Sequence, residues 1–264
     1  MTGSAIIEVA IRGIGAIGPG FNSWLELKDQ LLGSNLNLIA KTRLPNPELL
    51  PPAERRRASD IVKAGLCAGL EACQDAEISA QELQTVFTSS GGDGSNCKAI
   101  CEQLASDDPL ISPTKFHNSV HNTVAGYWGI ATGCREPSQV ISAEDGSFAA
   151  GLLEAAIQTI ASHSRTLLIS YDTSYPEPLN SIRHITDTAA IALILDVPDA
   201  PKGRYPRLRL SLSPSEGTAE CSTLSVPIPT LASLPLLDWV AQLGSRTIAI
   251  PYQPNKPLHI EVCP

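Results

Sequence analysis

Four side chains of the kind that hold zinc stand close together: Cys97 and Cys101 in a C-x3-C, then, 15 residues on, His117 and His121 in an H-x3-H. In a zinc finger, thiolates and imidazoles at near this spacing close a tetrahedron and fold a unit that has no core of its own. Here 43% of 264 residues are hydrophobic, so a core exists without metal, and no basic recognition helix follows. The reading preferred puts both cysteines on an ordinary helix and both histidines on backbone groups, with no metal. "GIGAIG" (Gly13, Gly15, Gly18) spells G-x-G-x-x-G after an apolar run, as a dinucleotide site would. Pro19 and Gly20 delay the helix that should receive the pyrophosphate, and the acidic residue due about 20 positions later is missing. A turn at the exit of a strand is the better fit, and no cofactor is expected.

The third candidate is an elbow. "QVIS" reads as a strand, "AEDG" as a sharp turn and "SFAAGLLEAA" as a helix, which exposes the turn's side chains before a helix N-terminus. The turn offers Glu144, Asp145 and Ser147, with no cysteine and no G-x-S-x-G. Ser147 is a candidate hydroxyl nucleophile, although Ser after Gly more commonly caps a helix. A carboxylate at Asp145 is expected to be steadied by the partial positive charge of the helix that follows.

Composition excludes several classes of function. Nineteen Lys and Arg against 27 Asp and Glu give a formal charge of -8, the wrong sign for reading phosphates, so no nucleic-acid partner is expected. No apolar run reaches the roughly 18 residues of a membrane span, and the N-terminus lacks a basic, cleavable leader, so a cytoplasmic location without a membrane span is expected. Seven cysteines, an odd number scattered through a chain of this size, read as reduced thiols.

The elements that must position these residues follow from periodicity. Ile6 to Arg12, "TVFTSS", Gln139 to Ser142, "RTLLISYD" and "AAIALILDV" read as strands. Helices are expected from Asn22 or Ser23 to about Leu32, over Ser59 to Ala76, Cys97 to Leu104, Thr123 to Thr132, and Ser147 to about Ala161. "RLPNPELLPPAERRR" is a surface loop running into a basic helix start. Strands alternating with helices predict an α/β domain with a mixed or parallel sheet over residues 1 to 197. Beyond Val197 the composition shifts, with 11 of 21 prolines in the rest of the chain. Residues 198 to 264 are expected to form an extension that packs on the same domain through short strands at Arg207 to Ser211, Thr247 to Ile250 and Leu258 to Val262, with a helix near Leu236 to Leu243.

Three segments in order, "RGIGAIGPG", "ISPTKFHNSVHNTVAGYWGIATG" and "EPSQVISAEDGSFAAG", resemble the N-terminal half of β-ketoacyl synthases. Ile111, Ser112 and Pro113 match that family's I-S-P, Asn122, Ala125 and Gly126 its N-x-x-A-G, and Pro137 and Ser138 its G-P-S. "ERRRAS", "FTSSGGDG" and "YDTSYPEP" narrow the likeness to the short synthase-like proteins of aryl polyene clusters, regarded as chain-length-factor-like partners of a full synthase. The resemblance implies a truncated thiolase-like fold, a layered αβα arrangement around a mixed sheet. It also puts the family's nucleophilic cysteine at Asp145, a vestigial position, because a carboxylate is a weak nucleophile and its acyl anhydride is prone to hydrolysis. The family's two decarboxylation histidines lie in its C-terminal half, and His163, His184 and His259 match neither setting.

The expectation is therefore a catalytically inactive subunit that pairs with an active β-ketoacyl synthase in type II polyketide or aryl polyene synthesis and meets acyl carrier protein only through the complex. By the same resemblance Thr114, Lys115, Phe116, His117, His121 and Asn122 belong to a segment that crosses the interface and lines the neighbour's acyl tunnel. Those side chains equally fit a role in packing the interface alone. The alternative is a small acyltransferase or hydrolase acting on acyl thioesters through Asp145 or Ser147.

Overall fold

Alternating β-branched and small residues build the first strand, β1 (Ile7–Ile17), at the centre of a single sheet. The computed structural model describes residues 6–199, 204–213, 220–221 and 227–263. The other strands are β2 (Gln84–Thr88), β3 (Ser138–Ile141), β4 (Thr166–Asp172), β5 (Ala189–Asp196), β6 (Arg207–Ser211), β7 (Glu220–Cys221), β8 (Arg246–Gln253) and β9 (Lys256–Cys263). Their order is β3-β2-β4-β5-β1-β6-β9-β8-β7. β2 pairs in parallel with β3 and β4, whereas β5, β1, β6 and β9 are joined by antiparallel ladders, so the sheet is mixed.

The helices are α1 (Trp24–Leu32), α2 (Pro52–Arg57), α3 (Asp60–Ala76), α4 (Gly94–Leu104), α5 (Pro113–Ser119), α6 (Thr123–Thr132), α7 (Ser147–Ser162), α8 (Leu179–Ile182) and α9 (Leu234–Gln242). They cover the sheet on both faces, and strand alternation shows how. On β5, Ile191, Leu193 and Leu195 point into a core shared with Trp24 and Leu27 of α1, Phe148 and Leu152 of α7, and Leu236 and Leu237 of α9. Ala190, Ala192 and Ile194 point the other way, against Val62 and Leu66 of α3 and Tyr127 and Trp128 of α6. This is the layered, thiolase-like αβα arrangement expected, with strands buried on both faces.

Gly13 and Gly15 of "GIGAIG" do not end a strand; β1 runs through them to Ile17, and Gly18 follows its end. β6 pairs only with Ile7 to Ala10, so the outward amides further along need other acceptors. Two carboxylates one turn apart on α3 supply them: Asp75 accepts from Ile14 N at 3.0 Å and Glu71 from Ala16 N at 2.8 Å. The helix must lie almost on the strand to do this. A β-carbon on Gly15 would run into the Ala68 carbonyl and stand 2.8 Å from Ala72 N, and one on Gly13 would stand 2.7 Å from Ala76 Cβ. The motif therefore serves helix–strand packing.

A second difference concerns the segment before Asn122. Its sequence shows no clear period, yet Pro113–Ser119 forms α5, with Pro113 in its first turn. The chain beyond Val197 continues the same sheet through β6, β9 and β8, and Leu208, Leu231, Leu237, Ile250 and Ile260 lie in the core that α7 covers.

Candidate functional site

Because β2, β3 and β4 are parallel, the loops leaving them meet at one edge of the sheet, where α/β proteins place their chemistry. Ser89 to Asp93 follow β2, Ser142 to Asp145 follow β3, and Thr173 to Tyr175 follow β4.

At the β3–α7 elbow, Asp145 sits on a short 3-10 turn, Glu144–Gly146, with its side chain 74% exposed. The partner its carboxylate has is a cation: Arg183 Nη2, arriving just after α8, donates to Asp145 Oδ1 at 2.7 Å. Ser147 is buried, and its hydroxyl is spent on backbone. It faces the Glu144 carbonyl at 2.7 Å and the Ser89 carbonyl at 3.2 Å, and accepts from Ala143 N at 2.9 Å. It clamps the turn to the end of β2.

Beneath the turn lies a carboxylate that sequence reasoning missed. Asp172, at the end of β4, is fully buried and accepts four hydrogen bonds: Ser89 Oγ at 3.3 Å, Ser90 N at 2.9 Å, Ser90 Oγ at 2.6 Å and Thr230 N at 2.8 Å. Burial raises its pKa from the ordinary 3.8 to about 6, the hydrogen bonds opposing that rise. One signal was available, a lone acidic residue closing an apolar strand. Arg183 had none, since its partner is defined only by the fold.

Thr114, Lys115, Phe116 and His117 all lie on α5, which Asn96 Nδ2 holds by donating to the Lys115 carbonyl at 2.8 Å. Phe116 is 63% exposed. His117 is exposed and packs edge-on against Tyr127, with ring centroids 5.8 Å apart. His121 Nε2 lies 3.3 Å from the Ile141 carbonyl at the end of β3, and Asn122 precedes α6 as its N-cap, its carbonyl accepting from Gly126 N. The structure thus brings His121 to the elbow strand and leaves the α5 side chains on an outer surface. Cys97 and Cys101 are exposed on α4. Among the described residues no group of three His, Cys, Asp or Glu side chains is placed to hold a metal.

That outer surface carries several exposed apolar side chains among its polar ones. Leu104 on α4, Leu110 before α5, Phe116 on α5, Val120 just after it and Ile130 on α6 are all exposed, on elements that pack in succession onto β3. β3 pairs only with β2, so among the described residues its other edge is open. Burial pushes the Cys67 thiol up to about 11 and that of Cys73 up to about 12, and raises Cys97 and Cys263 as well, which disfavours the thiolate at these four positions. No described helix is long and apolar enough to cross a membrane.

The family model of the β-ketoacyl synthase N-terminal domain matches residues 31–241. Among solved structures, a chain of the ketosynthase (ApeO) in complex with its chain length factor (ApeC) from Xenorhabdus doucetiae superposes with a TM-score of 0.74 at 23% identity, covering 98% of this chain and 100% of that one. A chain of AntDE:AntF, a type II PKS acyl-carrier protein in complex with its ketosynthase bound to the hexaketide, gives 0.77 at 11% identity over 98% and 99%. A β-ketoacyl synthase from Burkholderia phymatum STM815 gives 0.59 at 14% identity over 90% of this chain and 71% of that one. No curated protein matches the chain.

Proposed function

The chain belongs to the β-ketoacyl synthase family, in its N-terminal domain, and from that premise we propose that it is a chain-length-factor-like subunit. It pairs with an active β-ketoacyl synthase, stabilises it and helps to shape its acyl tunnel in type II polyketide or aryl polyene synthesis. The observation that carries this reading is the pairing of two features on neighbouring elements. An open β3 edge flanked by exposed Leu104, Leu110, Phe116, Val120 and Ile130 is the kind of surface that an obligate partner covers. Beside it, the elbow carries an ion-paired carboxylate at Asp145 and a Ser147 hydroxyl committed to backbone groups. Two of the superposing structures are described as ketosynthase complexes, one with a chain length factor and one with an acyl-carrier protein, which favours the same reading.

The test is co-expression with a type II ketosynthase encoded beside this chain, followed by size-exclusion chromatography and an assay of each fraction on acyl thioesters. Co-elution is expected, with condensation only in the complex. Leu110→Asp together with Ile130→Asp should weaken the association at least about tenfold, the scale of losing buried apolar anchors. A monodisperse chain that ignores the synthase would falsify the reading. Turnover of acyl thioesters by the chain alone would make it an acyltransferase or hydrolase instead.

A further inference from the structure

A cleft of about 440 Å³ opens beside the Asp145–Arg183 pair, between the segment after α8 and the residues that lead into α9. That size lies in the range of sites for small organic ligands. Its apolar walls are built by Ile185, Pro227, Ile228, Pro229, Ala232 and Pro251, His184 lines it beside the ion pair, and Ile182 stands at its lip 87% exposed. All of these wall residues except Ile185 lie beyond Val197, so the cleft depends on how this chain completes its own sheet.

The charged groups at the cleft are unequal. The Arg183 side chain is 30% exposed, whereas the Asp145 carboxylate on its Nη2 is 74% exposed, on a one-turn arm. An exposed pair of this sort holds only weakly, so the carboxylate is easily replaced. The guanidinium, whose Nε is buried without a hydrogen-bond partner and which also bonds the Tyr175 side chain, cannot lose its charge. Asp145 therefore acts as a tethered stand-in that shows which chemistry the guanidinium accepts.

We propose that this cleft binds a monocarboxylate with an apolar chain or ring, whose carboxylate takes the place of Asp145 on Arg183 and whose body lies along Ile185, Ile228 and Ala232. A single guanidinium matches a single negative charge, and the walls favour a body that water does not. The exposed Ile182 is covered when the body is seated. The proposal stands independently of whether the chain pairs with a synthase.

Octanoate, octanol and acetate are the probes, titrated by calorimetry and by saturation-transfer NMR into the full chain, with all variants in the same preparation, including any synthase that co-purifies. Octanoate should bind saturably and acetate at least tenfold more weakly. Asp145→Asn frees the guanidinium and should tighten octanoate two- to fivefold, while Arg183→Met should weaken it at least tenfold. Ala232→Leu narrows the cleft and leaves the ion pair, so it should weaken octanoate with an unchanged melting temperature. Octanol binding as well as octanoate, an unaltered Kd in Arg183→Met, or no saturable binding in Asp145→Asn would each overturn the proposal.

Discussion

Asp172 is solvated in the core by hydroxyls and amides rather than by a cation, and that choice has a measurable consequence. Its pKa is raised from 3.8 to about 6, so the folded chain holds this proton more tightly than the unfolded one. The stability tied to protonation is fully present below 3.8 and is lost as pH rises through 6. The loss is on the order of 3 kcal/mol, since each tenfold difference in proton affinity between the folded and unfolded chain is worth about 1.4 kcal/mol. Asp172→Asn cannot titrate, so the melting temperature of the wild type should change more steeply between pH 4 and 7 than that of the variant, rising toward the acid side relative to it. Parallel curves would show that the carboxylate does not titrate there. Phe116 makes the second residue-scale prediction, which rests on the proposed tunnel role. Phe116→Ala should lengthen or broaden the products of the synthase complex with little change in rate, because removing the largest α5 side chain makes room for further carbons. Unchanged product lengths by mass spectrometry would leave α5 with packing alone. The position of Asp145 was legible from the strand–turn–helix pattern around it. Arg183 and the donors to Asp172 were not, since each is brought in by chain far away in sequence, and periodicity carries no information about such pairings.

At the scale of elements, periodic segments are legible in the sequence and glycines are not. Arg207–Ser211 is a strand with the expected bounds because its leucines and arginines alternate, and Thr123–Thr132 a helix with the expected bounds through its run of small residues. Glycines usually end strands, which places the end of β1 at Arg12, but the reason for these glycines is a helix that arrives 50 residues later in sequence. Gly15→Ala tests this account. It places a methyl group against the Ala68 carbonyl and should cost about 1–3 kcal/mol, read as a lower midpoint in urea with the slope unchanged. A variant as stable as the wild type would mean that α3 rides on β1 less tightly. α5 escapes notice for the opposite reason. Its seven residues mix Lys, Phe, His and Asn without an apolar stripe, and it is held instead by Asn118 Nδ2 donating to the Arg57 carbonyl at 2.9 Å and by the Asn96 contact.

For the whole molecule, the shift in composition at Val197 does not coincide with a break in the sheet: β1 takes β5 on one side and β6 on the other. A chain ending after Val197 would expose Val9 and Ile11 of β1 and open its outer edge. It should be recovered only as aggregate, or as a species that binds a hydrophobic dye and lacks a cooperative melting transition. A soluble, cooperatively melting fragment would show that the extension is dispensable for folding. The same ladder imposes an order on events in time. Ile7 pairs with Leu210, and Leu210 with Ile260, so β1 waits during synthesis for partners that lie far later in the chain. Until then the nascent chain carries an unpaired β edge while the intervening residues are made, the species most exposed to mispairing with other chains. Slow delivery of β6 and β9, as at a translational pause, would therefore extend the interval in which the chain depends on chaperones.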